Sequence, residues 1–327
     1  MKFNRFLSVS LLIFTAISLS IALPALAAEG RFERTLQANG AVELEVQTGS
    51  GAIDVRNGDS STVRIIGTIR SNGGWFDSGS VESRVHELET NPPIEQHGNI
   101  IKIGHIEDRE LQHNISISYE IVTPAETRLR SSSGSGDQNV NGVRGPVDAT
   151  SGSGSLSLNN IGDMVRVSTG SGHIFLEGVK GNVHASTGSG EIRAEGVAGG
   201  LHASTGSGSV TLRQTGPGDV EVNTGSGTLQ LEGVHGAVRA STAIGNIEVE
   251  GEGQDSWRLS TASGNVTVRL PSKQGFKLHA RTVSGTVHTA REMTVQGTFG
   301  KHDLEGTVGD GAFLLDVSTV SGNIRVE

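Results

Sequence analysis

Two histidines and a glutamate recur at nearly equal spacing in the middle of the chain. His184, His202 and Glu221 are separated by 18 and 19 residues. Imidazole nitrogens and carboxylate oxygens are zinc ligands, so three such side chains brought together could hold a metal ion. Ligands spread along a row of strands span more than a tetrahedral site allows, and exposed histidines are the ordinary alternative. The sequence therefore predicts no metal and no other cofactor, and leaves these three residues as the candidates for a metal site.

Aromatic side chains that could contact a ligand are few, at 4% of the chain. Trp75 and Phe76 follow the glycine-rich segment 71–74, where a loop would expose them. The alternative is that they pack over one end of the fold. Phe175 occupies a position that alternates with apolar residues, so it is expected to point outward. These three aromatic residues are the predicted interaction candidates.

Hydroxyl groups recur in the run Thr-Gly-Ser-Gly, which occurs at 169–172, 187–190, 205–208 and 224–227. A nucleophilic serine must be singled out by a base and an orienting group. Here all copies look equal and suit a turn, in which glycine supplies unusual dihedral angles and serine a local hydrogen bond. The threonines, once per repeat beside the turn, are expected to point inward. The sequence therefore predicts no catalytic residue and a protein that is not an enzyme.

The same run defines the elements that must position these side chains. The last glycine of this run and of its variants lies at Gly136, Gly154, Gly172, Gly190, Gly208, Gly227, Gly245, Gly264, Gly285 and Gly322. A fixed period near 20 residues is the signature of a solenoid. Within one unit, Ile174 and Leu176 alternate with polar residues, and Val183 and Ala185 do so after a turn, which predicts two short strands with opposed apolar faces. An aliphatic residue every six positions, which a triangular β-helix requires, is missing. The predicted fold class is all-β: a parallel β-solenoid with two short strands per rung of about 18 residues and a flattened cross-section.

The chain divides into three predicted parts. Residues 1–27 have a basic start, an apolar run and a small-residue cleavage site, which predicts a secretory signal peptide; an uncleaved membrane anchor is the alternative. Residues 28–130 begin the solenoid and then lose its register in an irregular β section that flanks the rod. Residues 131–327 carry the regular repeats, with a degraded rung near 286–311.

Three further expectations concern the irregular parts. Residues 81–88 should form a short helix that stops before the two prolines at 92–93. Residues 100–106 and 115–122 alternate in hydropathy and could form an antiparallel pair. Ile324 and Val326 lie on a last strand without an obvious cap, so the ends of two rods could pair.

Charge and cysteine content restrict the possible compartments and partners of the protein. The net charge is −9, and removal of Lys2 and Arg5 with the signal leaves 24 basic against 35 acidic residues, a net of −11. This balance argues against nucleic acid and anionic membranes as partners. The chain has no cysteine for disulfides or lipid attachment. The sequence predicts an exported protein, periplasmic or at the cell surface, with no stable membrane insertion after cleavage.

The units Thr-Gly-Ser-Gly-x-Ile-x-Leu-x-Gly-Val-x-Gly-x-Val, with variants at 261–266 and 319–324, resemble a known bacterial family. It comprises uncharacterised exported proteins with β-strand repeats, described as adhesins and akin to the head domains of auto-transporter adhesins. The resemblance covers about residues 40–327 and implies a β-solenoid without an active-site motif.

The predicted function is that of an exported, non-enzymatic, adhesin-like structural or interaction protein of the cell envelope. Its partner would be an unidentified protein or glycan, bound through a flat wall of the solenoid, an acidic column or the Trp75 loop. The alternatives are a polysaccharide-acting enzyme on a β-helix scaffold and an envelope-stress accessory protein.

Overall fold

The computed structural model describes residues 29–59, 61–71, 78–106, 114–295 and 300–327. The predicted signal peptide lies outside these residues. The N-terminal section contains β1 (Glu29–Gln37), β2 (Val42–Thr48), β3 (Ile53–Asn57), β4 (Thr62–Ser71), α1 (Ser78–Thr90), β5 (Ile94–His97), β6 (Ile100–Ile103) and β7 (Ile115–Thr123). The helix α1 confirms the one predicted at 81–88.

The regular section alternates strands of four to seven residues with turns. It contains β8 (Thr127–Ser133), β9 (Gln138–Asn141), β10 (Val147–Ser151), β11 (Leu156–Ile161), β12 (Val165–Thr169), β13 (Ile174–Val179), β14 (Val183–Ser189), β15 (Ile192–Val197), β16 (Leu201–Ser207), β17 (Val210–Gln214), β18 (Val220–Ser226), β19 (Leu229–Val234), β20 (Val238–Ile244), β21 (Ile247–Gly251), β22 (Trp257–Ser263) and β23 (Val266–Arg269). The C-terminal section contains β24 (Phe276–Ser284), β25 (Val287–Thr289), β26 (Thr294–Val295), β27 (Asp303–Val308), β28 (Leu314–Ser321) and β29 (Ile324–Val326).

These strands form two sheets that face each other across a thin core. The first sheet has 14 strands in the order β1-β4-β7-β3-β9-β11-β13-β15-β17-β19-β21-β23-β29-β25. The second sheet has 15 strands in the order β26-β27-β24-β28-β22-β20-β18-β16-β14-β12-β10-β8-β2-β6-β5. Each regular rung gives one strand to each sheet, and neighbouring rungs pair in parallel. The predicted fold class, an all-β parallel solenoid with two short strands per rung, is confirmed.

The core consists of the alternating aliphatic residues that the sequence pattern placed inward. Ile174 and Leu176 from one sheet, and Val183 and Ala185 from the other, are each at most 2% exposed. Full burial of an aliphatic side chain of the size of valine or leucine stabilises a fold by about 1.5–3 kcal/mol. A single rung has too few such residues to be stable alone, and stacking makes their burial continuous.

The Thr-Gly-Ser-Gly turn joins neighbouring rungs through its threonine. The Thr187 hydroxyl, directed inward as expected, donates a hydrogen bond to the Gly172 carbonyl of the preceding rung at 3.0 Å. The same bond recurs from Thr169, Thr205, Thr224, Thr242 and Thr261. The hydrogen bond that the sequence assigned to serine is thus made by threonine, between rungs. The final glycine is needed for close approach, because a Cβ on Gly208 would overlap the Gly190 carbonyl oxygen.

At the N-terminal end, the rungs do not follow the order of the chain. The rung of β2 and β3 stacks directly on β8 and β9, and β6 and β7 lie outside it. The prediction of an antiparallel pair between 100–106 and 115–122 is therefore wrong. β6 and β7 belong to opposite sheets, because they are the two sides of one rung and each runs parallel to β2 or β3. The strands β1 and β4, with α1 packed on them, cover the outer side of β7.

At the C-terminal end, the last two strands lie inside the array. β28 is inserted between β22 and β24, and β29 between β23 and β25. Ile324 and Val326 are completely buried, so the prediction of an uncapped last strand is wrong. The threonine bonds follow this spatial order: Thr319 donates to the Gly264 carbonyl and Thr282 to the Gly322 carbonyl. β27 pairs antiparallel with the outer edge of β24 and carries β26.

Candidate functional site

A row of charged residues crosses the outer face of the second sheet, one per strand from β5 to β27. We call it the charge ladder. In spatial order it consists of Glu95, Lys102, Glu45, Arg130, Asp148, Arg166, His184, His202, Glu221, Arg239, Arg258, Asp316, His279 and Glu305. Opposite charges alternate over most of its length, an arrangement that stabilises directly opposed cross-strand pairs.

Each ladder residue is positioned by the alternation of its own strand. His202 lies between Leu201 and Ala203, which both point into the core, so the imidazole must point to solvent. The parallel register then places His184, His202 and Glu221 side by side on β14, β16 and β18. The sequence period thus brings the three candidate residues together.

The geometry of these three residues is that of a surface row. His202 Nδ1 lies 3.3 Å from Glu221 Oε2, and both side chains are 48% exposed. The imidazole rings of His184 and His202 are tilted, with centroids 5.6 Å apart. Within the described ranges, no group of three or more His, Asp or Glu side chains has the arrangement needed to hold a metal ion.

A groove of ≈ 730 Å³ runs beside the centre of the ladder. Its lining includes Asn182, His184, Gly200, His202, Gly218, Asp219, Glu221, Ala237, Arg239, Asp255 and Ser256. The column next to the ladder consists here of Met164, Asn182, Gly200, Asp219, Ala237 and Ser256. Gly200 and Ala237 are the smallest residues of this column within the groove and leave room beside the ladder.

Two of the carboxylates in the groove also support the backbone. Asp219 Oδ1 accepts a hydrogen bond from the Ala237 amide at 3.1 Å, and Asp255 Oδ1 accepts one from the Ser256 amide at 2.6 Å. Arg239 has no carboxylate within salt-bridge distance in the described part of the chain, although Glu221 is its partner on the neighbouring strand. The groove therefore offers fixed carboxylates, two imidazoles and a free guanidinium, a set suited to hydrogen bonding.

The aromatic candidates lie elsewhere. Phe175 is on the outer face of the first sheet, 38% exposed, with its ring centroid 5.9 Å from that of His173. Ser157 and Arg193 flank it on the neighbouring strands. Phe175 thus lies on the wall opposite the groove and forms no common site with it. Trp75 and Phe76 fall outside the described residues.

The acidic column lies on the same wall as Phe175. Glu177, Glu195, Arg213, Glu232 and Glu250 stand on consecutive strands, and Arg213 pairs with Glu232 at 3.4 Å. The arginine relieves repulsion within a row of like charges. These residues are exposed or half-buried at the surface, and opposite-charge pairs of this kind contribute little to stability.

The charge ladder is longer than the sequence indicated. Its members from Arg130 to Arg258 follow from the repeat period, but Asp316 separates Arg258 from His279 because β28 is inserted there. Arg258 lies 3.4 Å from Asp316 as a result. Glu95, Lys102 and Glu45 are outside the regular period. The signal that could have found Lys102 and Glu45 is a charged residue between two inward aliphatic residues of an irregular strand.

One buried polar group lies near the N-terminal end. The Tyr119 ring is in the core, and burial raises the pKa of its hydroxyl well above the usual range. Its oxygen and Gln214 Oε1 are the buried side-chain atoms without a hydrogen-bond partner in the described part of the chain. The hydroxyl therefore stays protonated.

Among the described residues, no helix has the length and apolar character needed to cross a membrane.

No curated protein sequence matches the chain. The chain is similar to the crystal structure of a candidate lipid-binding protein from Parabacteroides distasonis, with 15% identity and a TM-score of 0.40 over 91% of this chain and 97% of that one. It is also similar to a candidate adhesin from the same organism, with 12% identity and a TM-score of 0.38 over 91% and 97% of the two chains. A candidate cell adhesion protein from Clostridium sporogenes has 11% identity and a TM-score of 0.24 over 91% and 99%.

A family model matches nearly the whole chain in two overlapping segments. The toastrack DUF4097 model matches residues 2–216 and again residues 162–327. This match confirms the resemblance carried by the Thr-Gly-Ser-Gly units. The chain belongs to the toastrack DUF4097 family.

Proposed function

We propose that this chain is an exported, non-enzymatic, adhesin-like interaction protein of the cell envelope. It uses the outer face of the second sheet to contact a protein or a glycan. The observation that carries the proposal is the charge ladder. In it, each strand of the second sheet, taken in spatial order from β5 to β27, places an ionisable side chain on the outer face. A regular array of this kind suits an extended partner that makes many similar contacts.

The chemistry of the groove favours binding over catalysis. Acyl transfer needs a nucleophile activated by a base, and glycoside hydrolysis needs two opposed carboxyl groups. The histidine His202 faces the carboxylate of Glu221, and Asp219 and Asp255 each cap a backbone amide. These contacts fix the positions of His202, Glu221, Asp219 and Asp255, which supports a binding role for the groove.

The experiment for this function compares binding with turnover. Mature protein is incubated with a panel of envelope and host glycans, and products are measured by mass spectrometry while binding is measured on immobilised glycans and on whole cells. Binding without product formation is expected. Turnover that is lost in Glu221→Gln or His202→Gln would establish the polysaccharide-acting enzyme instead.

Export has its own measurement. Cells are fractionated with and without protease added to the outside, and the chain is detected with an antibody. A mature form shortened by the signal peptide is expected in the periplasmic or outer-surface fraction. A full-length form in the cytoplasmic fraction would contradict the proposal.

A further inference from the structure

We propose that the groove between Asn182 and Ser256 binds a hydroxyl-rich saccharide that carries no acidic groups. This inference rests on the proposed interaction function and names the chemical class of one partner. The site comprises the ladder residues His184, His202, Glu221 and Arg239, together with the column beside them, in which Gly200 and Ala237 are the smallest residues.

The dimensions of the groove suit a chain of sugar units. Its volume of ≈ 730 Å³ falls within the range of about 300–1,000 Å³ that is common for small-ligand sites. Its length follows the stacking direction over β14, β16, β18, β20 and the start of β22, and strands are about 4.8 Å apart. Gly200 and Ala237 have little or no side chain, so a ligand can approach the backbone there.

The polar groups match the hydroxyls of a sugar. The carboxylates of Asp219, Glu221 and Asp255 accept hydrogen bonds, and the guanidinium of Arg239 donates them. Asp219 and Asp255 each use Oδ1 to accept a hydrogen bond from a backbone amide, which fixes the carboxylate, and Oδ2 can accept a bond from a ligand. A sugar hydroxyl both donates and accepts, so it can bond to either kind of group.

The balance of charge selects against acidic ligands. Three carboxylates and one guanidinium line the groove, so its charge is negative when the histidines are neutral. A uronic acid, a phosphorylated polymer or a nucleic acid would meet repulsion there. An apolar ligand is equally unsuited, because the outward side chains of the lining are polar or very small.

The test uses full-length mature protein and three hexasaccharides, made of glucose, N-acetylglucosamine and galacturonic acid, in isothermal titration calorimetry. Binding of at least one of the two neutral hexamers is expected, with an affinity at least 10-fold above that for the galacturonic acid hexamer. The double variant His202→Gln/Glu221→Gln is expected to lose at least 10-fold in affinity. Ala237→Phe, which places a ring in the groove, is expected to abolish binding.

A matched control lies on the opposite wall. Arg213→Gln/Glu232→Gln removes an exposed pair with a separation of 3.4 Å, close to the 3.3 Å of the His202–Glu221 pair, and should leave affinity unchanged. Thermal melting of all variants checks that they are folded.

Neutral-sugar binding that is unaffected by the groove variants but lost in Phe175→Ala would overturn this site and leave the proposed function intact. Preference for the galacturonic acid hexamer would overturn the ligand class. Absence of sugar binding alongside capture of an envelope protein would overturn the inference alone, whereas absence of any envelope partner would overturn the proposed function as well.

Discussion

The rungs between Thr127 and Arg269 stack in the order in which the chain makes them, whereas the rungs at both ends do not. In the middle, β12, β14 and β16 follow one another along the second sheet. At the N-terminal end, β2 and β3 lie between the outer rung of β6 and β7 and the first regular rung. At the C-terminal end, β28 and β29 lie one rung inward from β24 and β25.

The comparison separates two physical requirements. A middle rung needs only apolar columns that match its neighbours, and a short repeat supplies them. An end rung leaves a row of unpaired backbone groups, which invites pairing with other chains. Insertion of a distant segment one rung from the end ties the outer rung to the array by contacts far apart in sequence. The antiparallel strands β4 and β5 then cover the outer rung on both sheets at the N-terminal end, and β27 covers it on the second sheet at the C-terminal end.

The largest expected effect concerns the close approach that every rung shares. A Cβ on Gly208 would overlap the Gly190 carbonyl oxygen, so Gly208→Ala should lower the free energy of unfolding by at least about 4 kcal/mol or prevent folding. The matched control is Gly206→Ala in the same turn, because Ala243 and Ala262 already occupy the equivalent position in later rungs. Urea denaturation measures both. Equal losses would show that the two glycines have the same role.

The next effect tests whether the inserted C-terminal rung is as integral as a middle rung. Leu315 and Leu231 are both completely buried, so Leu315→Ala and Leu231→Ala should each cost about 3 kcal/mol. Hydrogen exchange should show protection lost beyond the mutated strand in both variants. A loss confined to β28 would mean that the last rung unfolds separately, as an edge strand does.

A smaller effect concerns the threonine bonds between rungs. Thr224→Val removes the hydroxyl that donates to the Gly208 carbonyl at 3.0 Å and should cost about 1–2 kcal/mol, since that carbonyl loses its side-chain donor. Thr319→Val should cost a similar amount, because its bond to Gly264 crosses the non-sequential step. Ser226→Ala, at an exposed serine of the same turn, is the control and should be near neutral in thermal melts. If Thr319→Val left the stability unchanged, the threonine bond would not stabilise the end rungs as it does the middle rungs.

The smallest effect distinguishes the N-terminal end, where a buried hydroxyl has no partner among the described residues. Tyr119→Phe should leave the free energy of unfolding unchanged or raise it by up to about 1 kcal/mol, because no hydrogen bond is lost. Burial raises the pKa of the Tyr119 hydroxyl in the folded chain. The stability that this shift contributes is therefore complete below the pKa of the same hydroxyl in the unfolded chain, and it is lost as the pH rises above about 10. Wild-type stability should therefore fall in that range more steeply than that of Tyr119→Phe. Parallel curves would show that Tyr119 ionises equally in both states.

Much of the fold and part of the candidate site follow from the repeat. The alternation around Ile174 and Val183 predicts both sheets, and the spacing of His184, His202 and Glu221 predicts that they are neighbours. Asp316 could not be placed beside Arg258, because their contact depends on an insertion that no local pattern encodes. The groove was also beyond prediction, since its depth comes from small residues such as Gly200 and Ala237 on different rungs.

The sequence by itself determined the two-strand rung, the inward and outward residues and the turn that joins them. These are local properties: alternation sets the face of each side chain, and glycine sets the close approach at the turn. Only the tertiary structure decided the order of the end rungs and the groove. All rungs present similar apolar columns, so many stacking orders satisfy the pattern equally. The observed order buries Ile324 and Val326 completely and places the antiparallel strands β4, β5 and β27 beside outer rungs.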